Sequence, residues 1–377
     1  MTPTDLPQPE LVQLLTPAGE RVEHPAYSPR VAHLDADALR GLYRDMVLVR
    51  RFDTEATALQ RQGELGLYAP LLGQEAAQVG SGRALAPQDY VFPSYREHGV
   101  AHTRGLDLTD VLKQFRGIDH GGWDPRVHNF HLYTLVIGSH TLHATGYAMG
   151  VQRDGLVGTG DPARDTAVVA YFGDGATSQG DTNEALVFAA VNNAPVVLFC
   201  QNNQWAISEP TDRQTRVPLV ERGRGFGVPS VRVDGNDVLA VHAVTLEALE
   251  RARSGGGPTF VEAYTYRMGA HTTSDDPTRY RSSAEEEEWR AKDPIDRLRT
   301  HLASRGELPE AFLESVNADA DALGRHVRAT VHAMRPPAKD TMFDHVYGSR
   351  NTVVDTERAW FTEYESAFDD ATTGGAR

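Results

Sequence analysis

The chain has 377 residues, a formal net charge of −15 and a single cysteine. The acidic balance argues against a nucleic-acid-binding surface, one cysteine excludes a disulfide framework within the chain, and no apolar run approaches the length of a membrane helix. The length exceeds a typical domain but fits one large α/β sheet domain with helical appendages.

Residues 1–33 are proline-spotted and aperiodic and read as an extended arm that can wrap a partner. The opening Met1–Glu10 carries neither a basic start with an apolar core nor an Arg-rich, acid-poor pattern, so the expected location is the cytoplasm. From Asp37 a helix begins: Leu39, Leu42, Tyr43, Met46 and Val49 recur at helical spacing, with Arg50, Arg51, Asp53 and Glu55 on the side expected to be exposed. Tyr90–Pro93 reads as a short strand with Tyr95 and Arg96 at its end, and Leu142–Met149, rich in small residues, as a closely packed helix.

Thr166–Phe172 is a short run of β-branched, aromatic and small apolar residues, as expected for a strand buried on both faces. It stops at Gly173-Asp174-Gly175, where the glycines allow a tight turn and close approach of backbone to a ligand. Asp181–Asn193 opens with capping residues and continues with good helix formers, and Pro195 closes the helix. A second apolar run, Val196–Cys200, ends at Gln201-Asn202-Asn203. The whole is a βαβ unit, and parallel strands align their carboxyl ends, so Asp174 and Asn203 fall on the same edge of a sheet, where α/β proteins bind ligands. Both offer hard oxygen atoms, which suit Mg2+ shared with a phosphate. An Asp-Gly or Asn-Asn pair alone is merely a turn; the βαβ spacing makes the combination informative.

Farther along, Val228–Val233 reads as a strand, Val238–Arg253 as a helix stopped by Gly255-Gly256-Gly257-Pro258, and Thr259–Tyr266 as a strand delivering Arg267 and His271 to its carboxyl side. After Ser282 the composition turns to charged helix formers, with Leu298, Leu302, Phe312, Leu313 and Leu323 as packing positions. Pro336-Pro337 breaks the pattern before a tail over 336–377, whose Gly374-Gly375 reads as a frayed end. The organisation expected is an arm at 1–33, an α/β domain at 34–335 with a mostly parallel sheet and helices on both faces, and a tail. Cys200, inside a buried strand, has a core role.

Gly173-Asp174-Gly175 with Asn202-Asn203 resembles the diphosphate-binding motif of thiamine-diphosphate enzymes. Tyr264–Arg281 is similar to the active-site loop of the alpha subunit of 2-oxo acid dehydrogenases, and Leu72–Ala76 and Phe92–Gly99 resemble further segments of that family. The resemblance implies the thiamine-diphosphate-binding fold, with thiamine diphosphate and Mg2+ as cofactors. It implies that Asp174 and Asn203 bind the metal by side chains and Trp205 by its carbonyl. Tyr95, Arg96 and Arg267 would contact the diphosphate, with backbone amides of Gly175 and Ala176, while Leu135 would belong to the cofactor site and Ile137 would be the apolar wedge that holds the cofactor bent. Gln201 stands where relatives often have a charged side chain. His271 is the catalytic candidate, near diphosphate and reacting carbon, and His128 resembles a second pocket histidine. Thr134-Leu135-Val136 departs from relatives that bind potassium there, and Thr272 matches a position phosphorylated in some of them.

The same resemblance implies an obligate beta subunit that supplies the carboxylate activating the cofactor, in a heterotetramer of two alpha and two beta chains docked on a lipoyl acyltransferase. The implied reaction is decarboxylation of a small 2-oxo acid with reductive acylation of a lipoyl group. Asp275-Asp276, Ala206-Ile207-Ser208 and Thr141–Gly146 lean toward branched-chain 2-oxo acids over pyruvate; acetoin cleavage and a catalytically silent scaffold are the other readings.

Overall fold

The computed structural model describes residues 9–372, with side chains described to Phe368. The expectations for residues 1–8 and for Gly374-Gly375 lie outside the described residues. Contacts divide the chain into a unit ending at His332 and a smaller one beginning at Ala333.

The first unit is built on strands β1 (Leu11–Val12), β2 (Tyr90–Phe92), β3 (Val168–Gly173), β4 (Val196–Asn202), β7 (Ser230–Asp234) and β8 (Thr259–Tyr264), with a hairpin of β5 (Trp205–Ala206) and β6 (Glu209–Pro210) outside the sheet. The six-stranded sheet has the order β1-β7-β8-β4-β3-β2 and is parallel throughout. Its register sets Gly173 beside Gln201 and Asn202 beside Tyr264, so the carboxyl ends of three neighbouring strands finish together. β3 and β4 are buried almost throughout because helices cover both faces. On one side Val168, Ala170 and Phe172 pack with Ala144, Ala148 and Leu186 of the helices Ser139–Arg153 and Gly180–Asn192. On the other, the Tyr171 hydroxyl donates to Ser81 Oγ at 3.0 Å, on the helix Glu75–Gly82, which packs against the helix Val238–Arg253. This is the α/β fold expected, with helices on both faces. Among the described residues no helix is long and apolar enough to cross a membrane.

Several local expectations need correction. Asp53 and Glu55, expected on the solvent side of the helix Ala36–Arg61, are buried. An apolar stripe marks the oily face only; here a second, polar face is covered as well. Asp53 accepts hydrogen bonds from the Tyr68 hydroxyl at 2.9 Å and Leu71 N at 2.8 Å, and burial pushes its carboxyl up to about 7. Glu55 pairs with Arg328 of the helix Glu310–Ala333. On that helix Val316, Ala320, Val327 and Val331 are the buried positions, with Phe312, Leu313 and Leu323 only half-buried beside them. Residues 9–33 lie against their own chain, since β1 adds an edge strand to β7. The second unit carries a helix, Thr352–Thr372, where the reading gave a tail; Phe361 on it meets Phe343 with ring centroids 5.7 Å apart.

Asp237 is the clasp for the N-terminal segment. One carboxylate oxygen caps the helix Val238–Arg253 through Leu239 N (3.0 Å) and Ala240 N (3.1 Å), and the other accepts from Leu14 N and Leu15 N. Asp237→Ala removes all four bonds and is expected to lower stability by about 1–3 kcal/mol. A lower urea midpoint, with residues 9–33 cleaved first in limited proteolysis, checks it; an unchanged midpoint and cleavage pattern would refute the clasp.

Candidate active site

A cleft of about 270 Å³ opens at the carboxyl edge of the sheet. Its walls come from the segments that leave successive parallel strands: Ser94–Glu97 after β2, Gly173–Ala176 after β3, Gln201 and Asn203 at the end of β4, and His271 beyond β8. The shared strand ends bring together residues far apart in sequence.

After β3 the chain turns at once into a short 3-10 helix, Asp174–Ser178. Neither flanking glycine of Asp174 has a positive φ. Gly175 is needed for space, since a Cβ there would lie 2.8 Å from the Ala206 Cβ of the β5–β6 hairpin. Asp174 is 1% exposed. Its Oδ2 accepts from Gln214 Nε2 at 2.9 Å and Thr211 Oγ1 at 3.3 Å, while burial pushes its carboxyl up. Asn203 Nδ2 donates to Gln74 Oε1 at 3.1 Å, and its Oδ1 accepts from Trp205 N at 3.3 Å. Asn202, by contrast, turns to Glu262, donating at 2.7 Å. Among the described residues no cluster of three or more His, Cys, Asp or Glu side chains could hold a metal ion. A cation bound by Asp174 and Asn203 therefore needs oxygen atoms from its ligand as well.

Two buried guanidinium groups converge on His271. Arg96 Nη2 donates to the His271 carbonyl at 2.8 Å and lies 3.3 Å from its Nδ1, and Nη1 donates to the Pro70 carbonyl. Arg267 Nη1 lies 3.3 Å from the same Nδ1 and donates to the Trp205 carbonyl at 2.9 Å; its Nη2 donates to Ile207 O (2.8 Å) and the Tyr280 hydroxyl (2.9 Å). Arginine can only donate, so Nδ1 is the acceptor and a neutral imidazole carries its proton on Nε2. Burial and the two cations push His271 down to about 3, and burial with the neighbouring Arg96 lowers Arg267 to about 10. Two cations sharing a buried space favour an anion between them. The loop is fixed by Asp275, whose Oδ2 accepts from His271 N at 2.8 Å and from the Tyr280 hydroxyl, and by Arg281, which donates to the carbonyls of Arg267, Met268 and Gly269.

Of the residues singled out in the sequence, Tyr95, Arg96, Ile137, Asp174, Gly175, Ala176, Gln201, Asn203, Trp205 and His271 all line this cleft. Arg267 stands behind His271. The Trp205 carbonyl, expected to face a metal, accepts from Arg267 Nη1 at 2.9 Å with one of its two lone pairs. Leu135 lies elsewhere, exposed, beside Leu67 and Phe115 in a shallow apolar depression. His128 also lies outside, with Nδ1 3.3 Å from the Arg104 carbonyl. Thr272 is half-buried next to His271 and shares a hydrogen bond with Ser274 at 3.2 Å. Sequence reasoning did not single out Glu97, Gln74, Gln179 and Ile207 as lining residues, nor Gln214, Asp275 and Tyr280 as supports. Glu97 and Gln74 sit inside motifs that were recognised, which is the signal that could have found them. Ile207 adopts φ +56°, which a β-branched side chain rarely takes, and its carbonyl is held there by Arg267.

Comparison with known proteins identifies the family. The chain matches the dehydrogenase E1 component family over residues 43–336. It is 47% identical to a 3-methyl-2-oxobutanoate dehydrogenase subunit alpha of Mycobacterium tuberculosis, over 90% of this chain and 88% of the relative. It is 43% identical to a pyruvate dehydrogenase E1 component subunit alpha of Acholeplasma laidlawii (72% and 77% covered) and 40% identical to one of Staphylococcus epidermidis (79% and 78%). The chain belongs to the dehydrogenase E1 component family, a family of oxidoreductases that implies thiamine diphosphate as cofactor and in which an alpha subunit typically acts with a beta subunit.

The pinned imidazole has a measurable consequence. A histidine with a lowered pKa stays neutral until the pH falls to that value, so His271 should show no charging step between about pH 5 and 9. Removing one cation with Arg267→Met should raise its pKa toward the ordinary value. Histidine-selective NMR titration reads both; a wild-type His271 that charges in the ordinary range would overturn the arrangement.

Proposed function

We propose that the chain is the alpha subunit of a branched-chain 2-oxo acid dehydrogenase, which decarboxylates 3-methyl-2-oxobutanoate and its relatives and passes the acyl group to a lipoyl acyltransferase. The observation that carries this reading is the convergence of Asp174, Asn203, Arg96 and His271 on one cleft at the sheet edge. The branched-chain preference rests on the 47% identity to a relative of that name, against 40–43% for relatives named for pyruvate.

The residues present fit thiamine diphosphate with Mg2+. Asp174 and Asn203 would provide Mg2+ with one carboxylate and one amide oxygen, and the rest of its ligands would have to come from phosphate and water. Arg96 stands where a diphosphate would be held, and Arg267 keeps a buried Nε with no hydrogen-bond partner among the described residues. Bound there, thiamine diphosphate would supply the carbon nucleophile and electron sink that decarboxylation of a 2-oxo acid needs. This chain contributes binding, orientation and a dry wall. His271 offers Nε2–H to a developing oxyanion or carboxylate, and Ile137, Ala206 and Ile207 provide the apolar part of the lining.

The surface near the cleft supports a partner. Val187, Phe188 and Val191 are exposed on one side of the helix Gly180–Asn192, Tyr147 is exposed on the adjacent helix, and Leu135-Val136-Ile137 is exposed before it. An apolar area of this kind suits an obligate interface. We assign it to the beta subunit, in a tetramer of two alpha and two beta chains.

With its co-expressed beta subunit, thiamine diphosphate and Mg2+, the chain should decarboxylate 3-methyl-2-oxobutanoate at least about tenfold more efficiently than pyruvate. His271→Ala should lower kcat by roughly 10²–10⁴-fold, and Asp174→Ala should weaken cofactor binding by roughly 100-fold. A preference for pyruvate would make it the pyruvate-type subunit. Full activity of Asp174→Ala would leave a scaffold.

A further inference from the structure

Glu97 and Gln201 form a buried polar pair in the wall of the cleft that the foregoing roles leave unexplained. Glu97 is 1% exposed and Gln201 2% exposed. Gln201 Nε2 donates to Glu97 Oε1 at 2.7 Å, and Glu97 Oε2 accepts from Arg96 N at 3.3 Å. No cation pairs with this carboxylate among the described residues, since the Arg96 guanidinium is directed to Pro70 and His271. Gln201 Oε1 is buried with no hydrogen-bond partner among the described residues. The pair therefore combines two costs: a desolvated carboxylate without a counter-ion and an orphaned amide oxygen.

One proton and one amide rotation remove both. If Glu97 is protonated, its O–H can donate to Gln201 Oε1; a separation of 2.7 Å is typical of O–H···O and short for N–H···O. The terminal torsion of glutamine has two-fold character, so the side chain can exchange its oxygen and nitrogen in place. Nε2, released from Glu97, then takes the buried position of Oε1 in the cleft wall, where it is an N–H donor without an acceptor until a ligand provides one. We propose that binding of the cofactor's diphosphate is coupled to uptake of one proton by Glu97 from solvent, with Gln201 turning so that its amide nitrogen donates to the ligand. The proposal rests on the thiamine-diphosphate reading of the cleft, and it makes Gln201 a proton-gated anion donor in place of a charged side chain.

The surroundings are consistent with this. The groups facing Glu97 are Arg96 on its own segment, the Gln201 amide on β4, and the Tyr133 and Tyr171 hydroxyls, which burial keeps neutral. His98, next in sequence, is held neutral by burial, down to about 3. Burial already pushes Glu97 up to about 7, so a nearby diphosphate has to raise it only modestly further to protonate it in neutral solution.

The test is isothermal titration calorimetry of thiamine diphosphate with Mg2+ into the alpha–beta complex, in two buffers of different ionisation enthalpy. At about pH 8 the wild type should take up more protons per bound cofactor than Glu97→Gln, the isosteric neutral mimic, by up to about one. Below about pH 6, where Glu97 is already protonated, the difference should vanish. Affinity should fall by up to about tenfold per pH unit above neutrality in the wild type and not in Glu97→Gln. Protons exchanged by the diphosphate or by His271 are common to both proteins and cancel. An infrared difference spectrum of the wild type on binding should show a new protonated-carboxyl band at about pH 8 that is missing at about pH 5, which keeps the proposal testable should the variant assemble poorly. Cofactor binding with equal proton uptake in both proteins, or no carboxyl band, overturns the coupling alone. Failure of the wild type to bind thiamine diphosphate overturns the reading on which it rests.

Discussion

Two guanidinium groups brought together out of water are the constraint around which this site is organised. Arg96 and Arg267 are both buried and both lie 3.3 Å from the same ring nitrogen of His271. Neither has a carboxylate partner among the described residues; backbone carbonyls of Pro70, Trp205, Ile207 and His271 accept their hydrogen bonds. Carbonyl dipoles can hold a cation in place without neutralising it, so the positive charge remains available to a ligand. The neutral state of His271 follows from the same pair, because a third cation there would have no compensation. A bound diphosphate would supply that compensation, and the site would then be held together by its ligand as much as by the fold.

Such a cluster can persist only if its carbonyls are fixed, and the supports reach deep into the sheet domain. Tyr68–Leu72 links several of them: Asp53 accepts from Leu71 N, the Pro70 carbonyl receives Arg96, and the Leu72 carbonyl receives Met268 N. His98 adds Nε2 at 3.0 Å from the Ala69 carbonyl and stacks on the Tyr68 ring. Met268 N and Arg267 N are thereby fixed relative to β4 and β8, the latter through the Asn203 carbonyl at 3.2 Å. Much of the burial of Asp53 thus serves a loop that begins two hundred residues later in the chain. A hydrogen-bonded strut of this kind is strong in dry surroundings and costly to leave half-made.

The part of this arrangement legible from sequence is the part governed by local rules. β3, the following turn, the helix and β4 were readable because a strand buried on both faces is a continuous apolar run, and glycine, asparagine and proline punctuate it. Parallel pairing then dictated that Asp174 and Asn203 share an edge. Asp53 and Glu55 were misplaced because periodicity identifies an apolar face and is silent on whether a second face is covered by a distant segment. Leu135 was assigned from a motif, and in this chain it points away from the cleft. Glu97 and Gln201 were each visible, but their hydrogen bond spans 104 positions and only the fold could reveal it.

The exposed apolar side of Gly180–Asn192 follows from the same logic as the cleft. That helix connects β3 to β4, so its first turn begins next to Asp174 and its length carries it away along the sheet. Its inner positions, Ala185, Leu186 and Ala189, are buried against β3 and β4, yet Val187, Phe188 and Val191 on the other side are equally apolar. Asp181 and Glu184 keep its first turns polar outside, but from Val187 to Val191 the helix is apolar on both sides, a pattern that suits cover by a second chain. Because the cleft-lining Ile137 and the exposed Val136 are adjacent in sequence, whatever covers that surface also reaches the rim of the site. Cofactor binding and subunit association then bury neighbouring parts of one surface, and each is expected to strengthen the other by linkage. If the beta subunit occupies this surface, assembly would complete the dry wall that decarboxylation needs, a physical reason for dividing the active site of such an enzyme between two chains.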